Sequence, residues 1–260
     1  MTSEWVAKRK LFYGTGVLVG VAIVIGVPLF FVFHKTPTCN DGVQNQNEKG
    51  IDCGGVCTLL CPSDIANPIV LWQRAFIVTS GVYNTVAYIQ NPNVLSRIDK
   101  ISYIFRLYDK DNVLIGERAG TTFIPANQTF AVFEAGIRTG GRVPVRTSFN
   151  FTSALLWSQN DSNYVPPTIV TENVLLSNES SSPRIDAVIH NKSLQNIGGL
   201  EAVAIVYDAD DNAMVASRTI VQNLVSEGTA PVVFTWPMAF SKIAVRKEIL
   251  LRVYPAGVSF

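Results

Sequence analysis

The chain has 260 residues, 48% of them apolar and 16% charged, with a formal net charge of +1, four cysteines and two histidines. Its mean hydropathy of +0.24 is too high for a plain soluble protein. Twenty-one basic against twenty acidic residues leave no global field to hold a polyanion, so nucleic acid is not an expected partner. The length rules out a small scaffold held by disulfides alone and leaves room for one or two domains.

The hydropathy is concentrated at the start. Residues 11–33, LFYGTGVLVGVAIVIGVPLFFVF, carry no charged side chain, and at about 1.5 Å per residue they reach roughly 34 Å, enough to cross a hydrocarbon core of about 30 Å. Lys8, Arg9 and Lys10 precede this run, and only His34 and Lys35 follow closely. The positive-inside bias makes residues 1–10 a cytoplasmic tail, 11–33 a transmembrane signal anchor, and the rest extracytoplasmic. The rival is a cleaved signal peptide, which has an apolar core of about 7–15 residues and a small-x-small cleavage site. FFVFHKTPT offers no such site, and no run of small residues precedes Cys39 as in a lipoprotein. Within the anchor, Gly16 and Gly20 have the spacing that lets two membrane helices approach closely, which offers a homodimer through the anchor, although glycine is also common in such helices without a partner; Pro28 falls in its outer third. Without residues 1–35 the chain holds 17 basic and 19 acidic residues, an ordinary, mildly acidic exported surface.

Residues 36–67 contain every cysteine and almost no apolar periodicity, so something other than a core must order them. Outside the cytoplasm Cys39, Cys53, Cys57 and Cys61 are expected to form two disulfides, with three connectivities open; a four-thiolate zinc site is the alternative. Asp41, Asn45, Glu48 and Asp52 lie between the first two cysteines, among turn-forming glycines. Oxygen ligands on a short closed loop are what calcium takes, and turn-forming polar residues are the plainer account. The order Cys39-x-Asp41-Gly42, Asn45, Glu48, then Asp52-Cys53-Gly54-Gly55-x-Cys57 and a closing Cys61 resembles a cysteine module of bacterial surface proteins. That resemblance implies an extracytoplasmic, disulfide-held stalk beside an anchor.

From residue 68 the chain turns to short runs rich in Val, Ile, Thr, Phe and Tyr, punctuated by Asn, Asp, Gly and Pro. Tyr83–Ile89, Ile101–Leu107 and Thr129–Phe133 read as strands, which predicts a sandwich or barrel. The pattern then repeats. Val86–Asn91 matches Asp186–Asn191 at an offset of 100, Phe105–Asp111 matches Ala204–Asp210 at 99, and Phe130–Phe133 answers Pro231–Phe234 at 101. These matches imply two copies of one β domain, at 68–157 and 168–260, with a linker at 158–167. The run Phe105-Arg106-Leu107-Tyr108-Asp109 resembles the FxLYD domain, related to the β-sandwich of water-stress and late-embryogenesis-abundant proteins, over about residues 70–157 and including the Ala-x-Ile-x-Asn91 strand end. The second copy departs from it, with Ala204 for the phenylalanine and Val206 for the leucine. The resemblance implies an immunoglobulin-like fold on exported or envelope proteins, with no established catalytic residues.

Little else points to chemistry. His190 lies alone in an expected strand, and no nucleophile-elbow or other enzyme signature appears. The turns Asp109–Asn112 and Asp208–Asn212 imitate the start of a calcium loop but lack glycine at the sixth position and glutamate at the twelfth, so they read as β-turns. Arg138, Arg142 and Arg146 flank Gly140, Gly141 and Pro144 in a loop that offers an anionic envelope polymer a contact and is otherwise solvated. Asn-x-Ser/Thr triplets occur at Asn127, Asn150, Asn160, Asn178 and Asn191, a slight excess over chance. The expected fold class is therefore mainly β: two tandem immunoglobulin-like β-sandwiches behind one N-terminal transmembrane helix. The expected function is non-catalytic binding or scaffolding in the cell envelope, with an unidentified protein or envelope polymer as partner. The competing expectation is a structural or sensory subunit of a larger membrane complex assembled through the anchor.

Overall fold

The computed structural model describes residues 3–33, 37–160 and 165–255, and divides them between two compact units, Met1–Cys57 and Thr58–Phe260. The first unit contains helix α1 (Ser3–Phe33). It begins ahead of the uncharged run because Glu4, Ala7, Lys8, Arg9 and Lys10 are good helix formers and extend it backwards. Its apolar window, Lys8–Phe30, spans 23 residues at a hydropathy of 2.1 with every side chain exposed, long and apolar enough to cross a membrane. The helix continues through Pro28. His34 and Lys35, which enter the orientation argument, lie outside the described residues.

The second unit is built of antiparallel strands. The first seven are β1 (Ile69–Thr79), β2 (Val82–Asn91), β3 (Ser96–Tyr108), β4 (Leu114–Ile124), β5 (Gln128–Arg138), β6 (Arg146–Phe151) and the short β7 (Ser158–Gln159). Six more complete it: β8 (Ile169–Ser177), β9 (Arg184–Asn191), β10 (Ile197–Tyr207), β11 (Ala213–Leu224), β12 (Thr229–Thr235) and β13 (Arg246–Val253). The first set forms sheets ordered β1-β2-β5 and β4-β3-β6, and the second forms β8-β9-β12 and β11-β10-β13, one pairing plan used twice. Each set encloses its own core. In the first, Ile101, Phe105 and Leu107 of β3 meet Ile89 of β2, Phe130 and Val132 of β5 and Phe149 of β6. In the second, Leu200, Ala204 and Val206 of β10 meet Ile185 and Ile189 of β9 and Val232 and Phe234 of β12. Where the first core has Phe105 and Phe149 with centroids 4.9 Å apart, the second has Ala204, and Trp236 packs edge-on against Phe240 at 5.4 Å.

A third buried cluster joins the two sets. Phe76 of β1, Val86 of β2, and Ala131 and Phe133 of β5 point away from the first core and meet Val203, Ile205 and Tyr207 of β10 and Ala216 of β11. The sheets therefore stack in four layers with three apolar interfaces. The middle interface explains a difference between equivalent strands. β3 alternates buried and accessible residues on either side of the buried run 103–105, as fits a strand with one wet face, whereas β10 is buried at all but one of its positions. Arg106 faces outward on β3, paired with Glu117 at 2.7 Å; the equivalent position on β10 is Ile205, fully buried in the seam.

Two boundaries differ from those expected. The segment 36–67 does not behave as one stalk, because residues from Thr58 onward belong to the β unit. Leu59 bridges Ser158, the Leu60 N–H donates to Trp157 O at 2.9 Å, and Leu60 and Ile65 pack against the first core. The expected linker 158–167 likewise begins as structure: β7 pairs with Ser96 and Arg97, and Asn160 is buried with its N–H donating to Leu95 O at 2.7 Å. Residues 161–164 of that linker, and 256–260 at the end of the expected second domain, lie outside the described residues.

Candidate functional site

All four cysteines are oxidised. Cys39 pairs with Cys57, with Cα atoms 5.7 Å apart, and Cys53 and Cys61 are likewise disulfide-bonded, which replaces the four-thiolate zinc alternative. The loop between Cys39 and Cys57 brings Asp41, Asn45, Glu48 and Asp52 together, with the three carboxylates turned mainly onto backbone amides. Asp52 Oδ1 accepts the Asp41 N–H at 2.9 Å, and its Oδ2 accepts Gly42 N–H at 3.0 Å. Asp41 Oδ1 accepts Val43 N–H, and its Oδ2 accepts Thr38 N–H and the Asn45 amide. Glu48 is buried; its Oε2 accepts N–H from Asn45 and Asp52 at 3.2 and 3.3 Å. Its Oε1 lies 3.0 Å from Cys57 Sγ, which as a disulfide sulfur has no proton to donate. The ligand atoms of Cys39, Glu48 and Cys57 fall within 4.8 Å of one another, but the bonded sulfurs are not thiolate ligands. In this arrangement N–H dipoles neutralise the carboxylates, and the four residues hold the loop in shape. Gly55 is required by the same loop: a Cβ there would lie 2.0 Å from Asn47 O.

The residues of the run Phe105–Asp109 are also spent on architecture, in the same way in both strand sets. Phe105 and Leu107 fill the first core. Asp109 Oδ1 accepts N–H from Asp111 and Val113 at 3.0 and 2.9 Å, closing the turn between β3 and β4, and its Oδ2 takes the Arg142 guanidinium at 2.8 Å. Asp208 repeats this, accepting N–H from Asp210 and Asn212 and pairing with Lys242. That lysine, together with the N–H donors, holds the Asp208 carboxyl below the usual carboxylate range. Arg146 lies 3.8 Å over the Tyr108 ring and Arg246 lies 3.5 Å over Tyr207. The acidic turns are thus β-turns clamped by a basic residue from the next connection. Asn91 donates to Ser96 O and Pro125 O, and Asn191 donates to Gln195 O and Val225 O, each tying its strand end to two loops.

His190 has company: Glu172 Oε1 lies 3.3 Å from its Nδ1 and 3.1 Å from Lys192 Nζ, and hydrogen bonds from Lys192 first and then from the His190 ring hold the Glu172 carboxyl low. Of the arginine trio, Arg142 and Arg146 are engaged by Asp109 and Asn112. Gly16 and Gly20 sit on α1 with open space where a Cβ would be. Of the five Asn-x-Ser/Thr asparagines, Asn160 and Asn191 are buried and Asn127, Asn150 and Asn178 are exposed.

The polar centre missing from the sequence reading lies in the seam. Glu201 of β10 and Arg252 of β13 form a buried ion pair, and Arg252 Nη1 reaches across to Thr122 Oγ1 at 2.9 Å and Phe123 O at 3.1 Å on β4. Arg218 stands 3.5 Å from the other Glu201 oxygen. A cavity of about 50 Å³ beside them, lined by Tyr103, Thr122, Glu201, Arg218 and Arg252 among others, has room for water molecules. At the far side of the seam Glu248 accepts from Tyr88 at 2.8 Å and Tyr207 at 2.7 Å. The signal was a glutamate inside the otherwise apolar run Ile197–Tyr207. A second unnoticed signal was the repeat of Arg142-Val-Pro-Val-Arg146 as Lys242-Ile-Ala-Val-Arg246.

No family model and no curated protein matches this chain. Among solved structures, a red sea bream transglutaminase is similar at a TM-score of 0.22 and 7% identity, over 70% of this chain and 28% of that one. The chain thus spans under a third of that protein's length, and a likeness at that level carries no argument about fold or activity.

Proposed function

We propose that the chain is a single-pass, membrane-anchored protein of the cell envelope whose extracytoplasmic part, two tandem immunoglobulin-like sandwiches of the FxLYD type, binds or scaffolds a partner without catalysing a reaction. The observation that carries this reading is α1, whose 23-residue apolar window has a hydropathy of 2.1 and exposes every side chain. Such a surface is costly in water and at home in hydrocarbon. The oxidised cysteines favour an exported location for the chain beyond α1. The repeated strand order supports the tandem reading. Two sheet pairs joined by an apolar seam and a buried ion pair make a stiff body suited to presenting surfaces, and the motif residues are occupied in holding turns.

Topology reporters test it. Alkaline phosphatase, which folds only where disulfides form, is expected to be active when fused after residue 255, and a green fluorescent protein fused at the N-terminus is expected to fluoresce. The opposite pattern overturns the orientation. Cross-linking of the intact protein in its membrane then separates scaffold from subunit: a stoichiometric partner captured through α1 replaces the scaffold reading with that of a complex subunit.

A further inference from the structure

We propose that the tip of the first strand set, where the β3–β4 turn meets the β5–β6 connection, docks on an anionic phospholipid surface. Val113 and Leu114 of the turn are exposed, and Val143 and Val145 of the connection are 65% and 66% exposed. None of the four belongs to a core cluster. Their exposure is built in. Arg142 is tied to Asp109, Arg146 to Asn112, and the Val145 N–H donates to Tyr108 O at 2.9 Å, so the backbone of both connections is pinned while the apolar side chains stay in solvent.

The charge around them fits the same partner. Residues 108–114 and 138–146 hold four basic residues, Lys110, Arg138, Arg142 and Arg146, against Asp109 and Asp111. Apolar side chains ringed by net positive charge suit the headgroup boundary of an anionic bilayer, where both terms contribute. A soluble polyanion would use the charge and leave the valines in water.

The second strand set supplies an internal contrast. Its equivalent tip, residues 207–213 and 238–246, also exposes apolar residues, Met238, Ile243 and Val245, but holds two basic residues against Asp208, Asp210 and Asp211. Val113 and Leu114 are replaced there by Asn212 and Ala213, which Arg74 of β1 contacts at 3.3 Å. One loop design thus occurs twice, with the net charge reversed and the two large apolar residues of the turn missing from the copy whose turn enters the seam.

The test is hydrogen exchange on the full chain in proteoliposomes of phosphatidylcholine alone, or with 30 mol % phosphatidylglycerol as a roughly physiological anionic fraction. Amides of 110–114 and 139–146 are expected to exchange roughly ten-fold more slowly on the anionic vesicles, with 238–245 unchanged. The double variant Val143→Asp, Val145→Asp is expected to abolish the slowing with an unchanged melting temperature. Exchange indifferent to lipid composition overturns the proposal. So does equal slowing by dextran sulfate added to the phosphatidylcholine vesicles, which would make the partner a polyanion. The docking rests on the membrane-associated reading only for the setting. Co-flotation reports whether α1 anchors the chain, and because the chain is mixed with vesicles either way, the exchange difference reports the tip separately.

Discussion

Replacing Ile205 by arginine tests whether the seam is what converts two strand sets into one body. Ile205 is fully buried in the seam, while its equivalent on β3 is Arg106, solvated and paired with Glu117. Ile205→Arg therefore gives the second set the outward face of the first. Losing the buried isoleucine costs about 2 kcal/mol, and a guanidinium in the same place adds several kcal/mol of desolvation, offset only in part by Glu248, its cross-strand neighbour, which already serves Tyr88, Tyr207 and Arg246. The chain can escape the second cost only by opening the seam, which exposes Phe76, Val86, Phe133 and Val203. Each set keeps its own core, so the expected result is separation rather than general unfolding. Trp157 in the first core and Trp236 in the second report on the two sets. In urea titrations of the full chain in non-ionic detergent, with the tryptophans read one at a time in Phe-substituted backgrounds, the parent should show coincident midpoints. The variant should show two separated midpoints and a loss of at least about 4 kcal/mol. A single coincident transition with less than about 1 kcal/mol lost would refute the seam as the joining element.

Other changes probe the polar contacts. Arg252→Ala leaves Glu201 buried with only Arg218 at 3.5 Å and is expected to cost about 3 kcal/mol by denaturant titration, while the double variant Glu201→Leu, Arg252→Met should return to within about 1 kcal/mol of the parent; if the single and double variants are equally unstable, the pair has no such role. Burial, and then hydrogen bonds to Glu248 or Glu134, raise Tyr88, Tyr103 and Tyr207 above the ordinary tyrosine value of 10.0. Their raised values stabilise the fold fully below pH 10, and the contribution is lost as pH climbs beyond it. An ultraviolet tyrosinate titration should therefore show these three ionising only together with loss of β circular dichroism, and their early ionisation in the folded protein would contradict the assignment. Asn91→Ala removes donors to Ser96 O and Pro125 O from a buried site; a loss of about 2–3 kcal/mol is expected in thermal melts, and one below about 0.5 kcal/mol would show the strand end to be held by other means.

Local pattern carried much of the architecture. The runs Tyr83–Ile89, Ile101–Leu107 and Thr129–Phe133 lie within β2, β3 and β5, because alternation of apolar and polar residues records a strand with one buried face. The near-100-residue offset pairs strands that occupy the same places in both sheet orders. The boundary residues were less legible. Thr58–Asn67 reads as polar stalk, yet Leu60 and Ile65 reach the first core, and two apolar residues in a polar stretch give no periodicity to detect. Asp41, Asn45, Glu48 and Asp52 were legible as a cluster, but whether their oxygens face a cation or backbone N–H groups depends on the path of the loop, which spacing does not set.

By itself the sequence determined an uncharged span long enough for a bilayer, a strand-rich remainder, and a repeat in which Tyr108 and Asp109 recur as Tyr207 and Asp208. These are properties of neighbouring residues, written in composition and period. Only the tertiary structure decided which cysteine Cys39 meets, that Glu201 answers Arg252, and that the mostly apolar run of β10 lies between two sheets. Burial pattern shows that a face is covered without naming what covers it. The covering partners here, Phe76, Val86 and Phe133, stand more than sixty residues away in the chain and meet β10 only when the four layers stack.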